Sequence, residues 1–171
     1  MKSIFAGWVL QMADVEFREF TAEVQNTMNS KIRSALEEVA GELVSKTKRN
    51  SRVDTGKTKN SFRYGISRNF ADGSFTAHIG SSDENAIWEE LGTGEHALDG
   101  KGRKGAWYVP VEKVTGKKKP TFNGKVVKVY GKGGKVYYKT NGKEPHRPFW
   151  RAFESLKPKI IKRLQNALKG M

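Results

Sequence analysis

Three histidines, His78, His96 and His146, are the first residues to test for chemistry, and their contexts argue against a metal centre. None has a second ligand type at a spacing such as His-x3-His. Cysteine is absent, which removes thiolate ligands, sulfur nucleophiles and disulfides together. A metal-dependent nuclease would need clustered carboxylates and a lysine to stabilise developing charge. The segment Glu84, Glu89, Glu90 and Asp99-Gly100-Lys101 is the one set that could be drawn together for this purpose. A D-x-K tripeptide is nevertheless common by chance in a lysine-rich chain. Gly131-Lys132-Gly133-Gly134-Lys135 has the look of a phosphate loop, but Val129 stands where its first glycine would have to be and Val136 replaces Ser/Thr. With no convergent acid and base pair, we expect no catalytic, metal or cofactor residues.

Charge is the stronger signal. The 171 residues carry 32 Lys and Arg against 18 Asp and Glu, a formal +14, at a mean hydropathy of −0.68. Residues 101–143 hold +12 of this, their only acidic residue being Glu112. A chain needing only solubility would mix its signs, so one concentrated cationic segment points to a polyanion or an acidic partner face. A solvated loop is the plainer alternative. Lys125, Lys128, Lys132, Lys135 and Lys139 alternate with valines and tyrosines, which suits phosphate neutralisation and some base stacking. No arginine-rich helix or RNP pattern accompanies them, so sequence-specific reading is not expected.

The elements that must position these residues follow from periodicity. Phe17, Phe20, Val24, Met28, Ile32, Leu36, Val39 and Leu43 recur at steps of three or four, predicting a long amphipathic helix from about Thr21 to Arg49. Its basic end, Lys46, Lys48 and Arg49, suits the negative pole of the helix dipole. Val53-Asp54-Thr55-Gly56 predicts a turn in which Asp54 and Thr55 bond neighbouring amides and Gly56 takes positive φ. Two strands, Ser61 to Ser67 and Ser74 to Gly80, are expected across Asp72-Gly73, with Phe75, Ala77 and Ile79 on one face and His78 on the other. Asn85 to Leu91 fits either a helical turn or a strand, closing at a structural turn through Gly92 and Gly94. Trp107 to Val111 reads as a strand. Lys125 to Tyr130 and Lys135 to Lys139 read as a hairpin around Gly131-Lys132-Gly133-Gly134, its apolar face too small to fold alone. Pro148 opens a last helix with Phe149, Phe153, Leu156, Ile160, Leu164 and Leu168 as its stripe, and Pro158 should kink or restart it.

These elements make an α+β chain: a long N-terminal helix and a kinked C-terminal helix packed on an antiparallel β-sheet, with a protruding basic β-hairpin. Residues 1–13 are expected as an N-terminal extension and 14–171 as a single domain with a basic insertion at 101–143. The apolar run Ile4 to Leu10 is far short of the roughly 18 residues of a membrane span, and Gln11 interrupts any signal-peptide pattern.

Three segments together resemble a known family. Asn50 to Ser61 (N-S-R-V-D-T-G-K-T-K-N-S) follows the long helix, Ala86 to Gly94 (A-I-W-E-E-L-G-T-G) follows a strand, and Arg147 to Ala152 (R-P-F-W-R-A) opens the last helix. Their order and spacing resemble the neck or tail-completion proteins of tailed bacteriophages, also described as minor capsid or minor tail components, whose blocks read P-V-D-T-G-x-L-x-x-S, Y-V-E-x-G-T and R-P-F-x-x-x-A. Arg52 and Thr58 depart from that pattern where proline and leucine are usual, Trp88 replaces the usual aromatic-valine pair, and the basic stretch is longer than the family's loop. The resemblance implies a structural virion component with no enzymatic activity, assembled in the host cytoplasm. It also implies a homo-oligomeric ring, a hexamer or dodecamer, around the DNA channel, joining head connector or stopper proteins to tail terminator proteins. The alternatives are a non-sequence-specific nucleic-acid-binding protein and a nuclease using Glu89, Glu90 and Asp99.

Overall fold

The computed structural model describes residues 21–169. The N-terminal extension, Phe17 and Phe20 lie outside the described residues. The apolar stripe read from the sequence becomes helix α1, Thr21–Asn50, about 45 Å long at 1.5 Å per residue. Its C-terminal half is the buried half: Val39, Ala40, Leu43, Val44 and Thr47 are inside, while Val24 and Met28 remain exposed. Thr47 is tolerated there because its hydroxyl donates to the Leu43 carbonyl at 2.8 Å. The helix closes through Ser51, whose amide and hydroxyl both donate to the Thr47 carbonyl, at 3.0 and 2.8 Å.

The last helix, α4, spans Pro148–Lys169 and packs antiparallel to α1. Asn50 lies beside Pro148, Leu43 beside Ala152 and Leu156, and Glu42 beside Lys159 and Arg163. Arg163 also reaches Glu38 at 3.2 Å. The Lys159 hydrogen bond, with Arg163 adding its charge, holds the Glu42 carboxyl below its ordinary range. Pro158 neither ends nor restarts α4. It sits on the exposed face, where water can take the carbonyl that Pro leaves unbonded at exposed Glu154.

Between α1 and the first strand comes a short helix that periodicity did not reveal, α2 at Lys57–Ser61. It absorbs Ser61, whose hydroxyl donates to the Thr58 carbonyl at 2.7 Å, and so delays β1 by one residue to Phe62–Arg68. β2, Phe75–Ser81, pairs antiparallel with β1 from Phe62↔Ser81 to Arg68↔Phe75. The connecting turn has the expected chemistry, since Asp72 accepts from the Ser74 amide at 2.9 Å and Gly73 has φ 73°. Phe75, Ala77 and Ile79 face inward and His78 outward, its ring 2.9 Å from the Ser67 hydroxyl. Ile79 joins the two parts of the core: it touches the cluster of Leu43, Ala152 and Leu156 and the cluster of Val44, Phe62 and Ala86.

The ambiguous segment is helical, α3 at Asn85–Leu91. Asp83 starts it, its carbonyl accepting from the Ala86 amide at 2.9 Å and its buried carboxylate accepting from the Thr58 hydroxyl at 2.5 Å. Thr58 therefore ties α2 to α3. The remaining strands belong to two further antiparallel sheets, so the fold is α+β with its strands divided among three small sheets. β3, Thr93–Gly94, pairs with β7, Gly142–Lys143. β4, Trp107–Pro110, pairs with β6, Val136–Thr140, which pairs in turn with β5, Val127–Tyr130. The expected basic hairpin is thus β5–β6, and β4 completes a three-stranded sheet with β6 at its centre.

The Thr58 hydrogen bond, helped by the Asn85 amide and the Lys57 charge and opposed by burial, lowers the Asp83 carboxyl from its usual value. A carboxylate with a depressed folded pKa stabilises above its unfolded pKa of about 3.9 and loses that contribution as pH falls through the lower folded value. Thr58→Val is expected to cost about 1.5–3 kcal/mol near neutrality, the range for a hydrogen bond to a charged group. The deficit should shrink below about pH 4, and urea melts of both proteins from pH 2 to 7 check it.

Candidate functional site: a joint of three segments and a basic sheet

Residues from three distant parts of the chain meet at the start of α4: Asn50 at the end of α1, Glu89 and Glu90 of α3, and the segment 146–150. A helix begins with amides that have no partner within it. In α4, Pro148 has no amide hydrogen to satisfy, and the Arg147 carbonyl takes the Arg151 amide at 3.0 Å. The two amides between them, Phe149 and Trp150, donate to the two oxygens of Glu90, each at 2.9 Å. A carboxylate so placed also opposes the positive pole of the helix dipole. Its neighbour Glu89 works through its backbone, the carbonyl accepting from the His146 amide at 2.7 Å and the Arg147 amide at 3.1 Å. The end of α1 completes the joint: the His146 ring lies 2.8 Å from the Asn50 carbonyl, and the Asn50 amide group donates to the Pro148 carbonyl at 3.2 Å.

Arg147 holds positive φ, 56°, which is uncommon for a residue with a Cβ. Its backbone is over-determined by the Glu89 carbonyl and the first turn of α4, and its guanidinium lies 4.7 Å over the Trp150 ring. The Glu89 carboxylate pairs with Lys143 through one oxygen; its other oxygen and the Arg147 Nε are buried without a protein partner.

The Asp54 turn differs from its expected form. Both Asp54 oxygens accept from the amide of Lys117, at 3.0 and 3.1 Å, and not from a neighbour in the turn. Periodicity had no means of finding this link across 63 positions. Gly116 lies against it, and a Cβ there would push the Asp54 carboxylate aside. Thr55 does bond locally, accepting from the Lys57 amide at 3.4 Å, and Gly56 takes φ 80° ahead of α2. Gly92 ends α3, its amide donating to the Trp88 carbonyl at 3.0 Å. Gly94 lies in strand β3, not in a turn, and a Cβ there would sit 2.6 Å from the Trp107 ring. That close approach lets β3 seat the start of the basic sheet.

The five hairpin lysines share no single face. Lys128 stands opposite Tyr138 and Lys139 opposite Val127, on the two sides of the sheet, while Lys132 occupies the turn, Lys135 directly precedes β6 and Lys125 lies two residues ahead of β5. Lys139 lies 4.3 Å from the centre of the Phe122 ring. None of the five forms an ion pair among the described residues. The face of the sheet bearing Tyr138 and Thr140 is buried along β6, yet Val126, Lys128 and Tyr130 are exposed along β5.

The carboxylates considered for a nuclease are not drawn together. Glu90 is committed to two backbone amides and Glu89 to Lys143, and the described residues contain no group of three His, Asp or Glu able to hold a metal ion. Glu95 instead ties loops together, accepting from Asn141 at 2.9 Å and from the Gly105 amide at 3.0 Å; these bonds, Asn141 first, lower its carboxyl.

Glu90→Ala strips two amides of a charged acceptor and is expected to cost about 1–3 kcal/mol in denaturant unfolding. Gly56→Val forces a β-branched residue into positive φ, at a similar cost of about 1–3 kcal/mol. Asp54→Ala should scarcely move the melting temperature, but should speed tryptic cleavage at Lys117 to Lys119 several-fold, because only the loop is released. Comparison with protein-family models, with curated proteins and with solved structures finds no match to the chain.

Proposed function

We propose that this chain is a structural component of the head-tail junction of a tailed bacteriophage, a neck or tail-completion protein that forms a ring around the DNA channel and joins head connector to tail. The observation that carries this reading is the joint at α4. Residues from each of the three segments resembling that family lie there, and Glu90, Glu89, Asn50 and His146 are spent on holding α1, α3 and α4 together, while Asp54 of the first segment ties down the basic loop. Residues of a reaction centre would leave an acid or base free to meet a substrate. In this reading the chain works by presenting rigid surfaces, acts without catalysis, and resides in the virion after assembly in the host cytoplasm.

A second reading, non-sequence-specific nucleic-acid binding, is favoured by the unpaired lysines beside Tyr130 and Tyr137. The two are compatible where the ring surrounds DNA. Lysines that meet phosphate release counterions, so affinity should fall steeply with salt.

Replacing Lys125, Lys128, Lys132, Lys135 and Lys139 together with glutamine should leave the fold intact, because the core lies between α1, α4, β1 and β2. The same variant, supplied to a phage lacking the wild-type gene, should yield filled heads and free tails in place of joined particles. Normal particle yield would contradict the assembly role of this sheet. Cleavage of duplex or single-stranded DNA in magnesium or manganese, lost on Glu84→Gln with Asp99→Asn, would replace the structural reading with the nuclease.

A further inference from the structure

The chain carries a second charge pole that the basic sheet makes conspicuous. Residues 69–100 contain seven acidic residues and no lysine or arginine, directly ahead of the +12 segment. Most of these carboxylates are occupied, but Glu84 and Asp99 are exposed and form no ion pair among the described residues. Beside them lies an apolar surface. Ile87, Trp88 and Leu91 of α3 are 51, 50 and 38 % exposed, Leu98 is held against α3 by the hydrogen bond its amide donates to the Leu91 carbonyl at 3.0 Å, and Trp150 stands on the α4 turn that Glu90 caps. Five large apolar side chains gathered on one short helix and its two attachments exceed the scattered exposure of an ordinary monomer surface.

The other pole has the complementary chemistry. Along β5, Val126, Lys128 and Tyr130 alternate outward on one face, Lys132 and Lys135 lie at the adjoining turn, and β5 itself is a free edge of its sheet. An acidic-flanked apolar surface and a basic-flanked aromatic one on the same chain are suited to each other. Nucleic acid would use the lysines but would leave the α3 surface, with its two tryptophans and unpaired carboxylates, without an occupant.

We infer that the exposed surface of α3, formed by Ile87, Trp88, Leu91, Leu98 and Trp150 and flanked by Glu84 and Asp99, receives the basic β5–β6 edge of a second copy of this chain. This rests on the reading of the protein as a self-assembling junction component, and it names the contact through which copies join. Because the two surfaces are different patches of one chain, the contact is heterologous and propagates from copy to copy until a rotation closes it.

A charge-exchange experiment tests it on the full chain. One variant reverses the hairpin (Lys128→Glu, Lys132→Glu, Lys135→Glu) and another reverses the α3 surface (Glu84→Lys, Asp99→Lys), with thermal melts by circular dichroism establishing that both fold. By sedimentation velocity at low salt, the wild-type chain should associate with rising concentration up to hundreds of micromolar, and each variant alone should associate at least tenfold more weakly. Mixing the two variants should restore association of alternating copies, because the reversed hairpin then meets the reversed α3 surface and the unaltered hairpin meets the unaltered one. A Trp88→Ser substitution in the wild-type background should weaken association while leaving the charges in place. The inference is overturned if the wild-type chain stays monomeric throughout, if the variants associate as the wild type does, or if mixing restores nothing. Loss of DNA affinity in the hairpin variant with self-association unchanged assigns the hairpin to nucleic acid and likewise overturns it. Each of these failures leaves the junction reading standing, since that reading is decided separately by whether particles lacking the chain have unjoined heads and tails.

Discussion

Helix α4 begins at buried Pro148, and Glu90 of α3 supplies one carboxylate oxygen to each of the two amides, Phe149 and Trp150, that the helix's own first turn leaves over. The placement of α3 therefore fixes where α4 starts, and α4 in turn fixes the core, because its Ala152 and Leu156 pack on Leu43 of α1. Apolar burial supplies the bulk of the stabilisation but has no direction. The carboxylate provides the direction: it sets the register at which the stripe of α4 meets the stripe of α1. Glu42, reaching Lys159 and Arg163 two to three turns further on, is consistent with that register.

The basic sheet stands outside this arrangement. It attaches through the two-residue β3–β7 pairing with the Trp107 ring seated against Gly94, the Lys143 to Glu89 ion pair and the hydrogen bond from Lys117 to Asp54, all at the margin of the helical core. A long cationic segment can thus be carried without placing lysines near the apolar interior, where unpaired charge would be costly. The same division lets the sheet change its surface chemistry without altering the core, which is the property expected of an element that serves a partner.

How much of this the sequence disclosed depended on whether the cause was local. The steps of three and four from Val24 to Leu43 marked α1 and its C-terminal end to within one residue, and the Asp72-Gly73 turn marked the β1–β2 hairpin, since both are written in neighbouring positions. Helix α2 was missed because five residues are too few to display a period, and β3–β7 because a pair of two-residue strands has no pattern to display. Asp54 was read as a local capping residue from its Asx-turn chemistry, whereas its acceptors serve Lys117. For Glu90 the nearest signal lay in the spacing of the family blocks, because a carboxylate capping a helix 59 positions away leaves no trace in its own surroundings. The commitments of Glu89 and Glu90 were hidden for the same reason: residue type was legible, but their partners were not.

The measurement that bears most directly on this account is amide hydrogen exchange at Phe149 and Trp150. First-turn amides of a helix ordinarily exchange at the rate of exposed backbone, because nothing within the helix accepts from them. If the Glu90 carboxylate holds α4 in register, both amides should exchange as slowly as the interior amides of α4, and the Glu90→Gln protein should lose that protection at one or both while Ala152 and Leu156 keep theirs. Fast exchange at both positions in the unaltered chain would contradict the account.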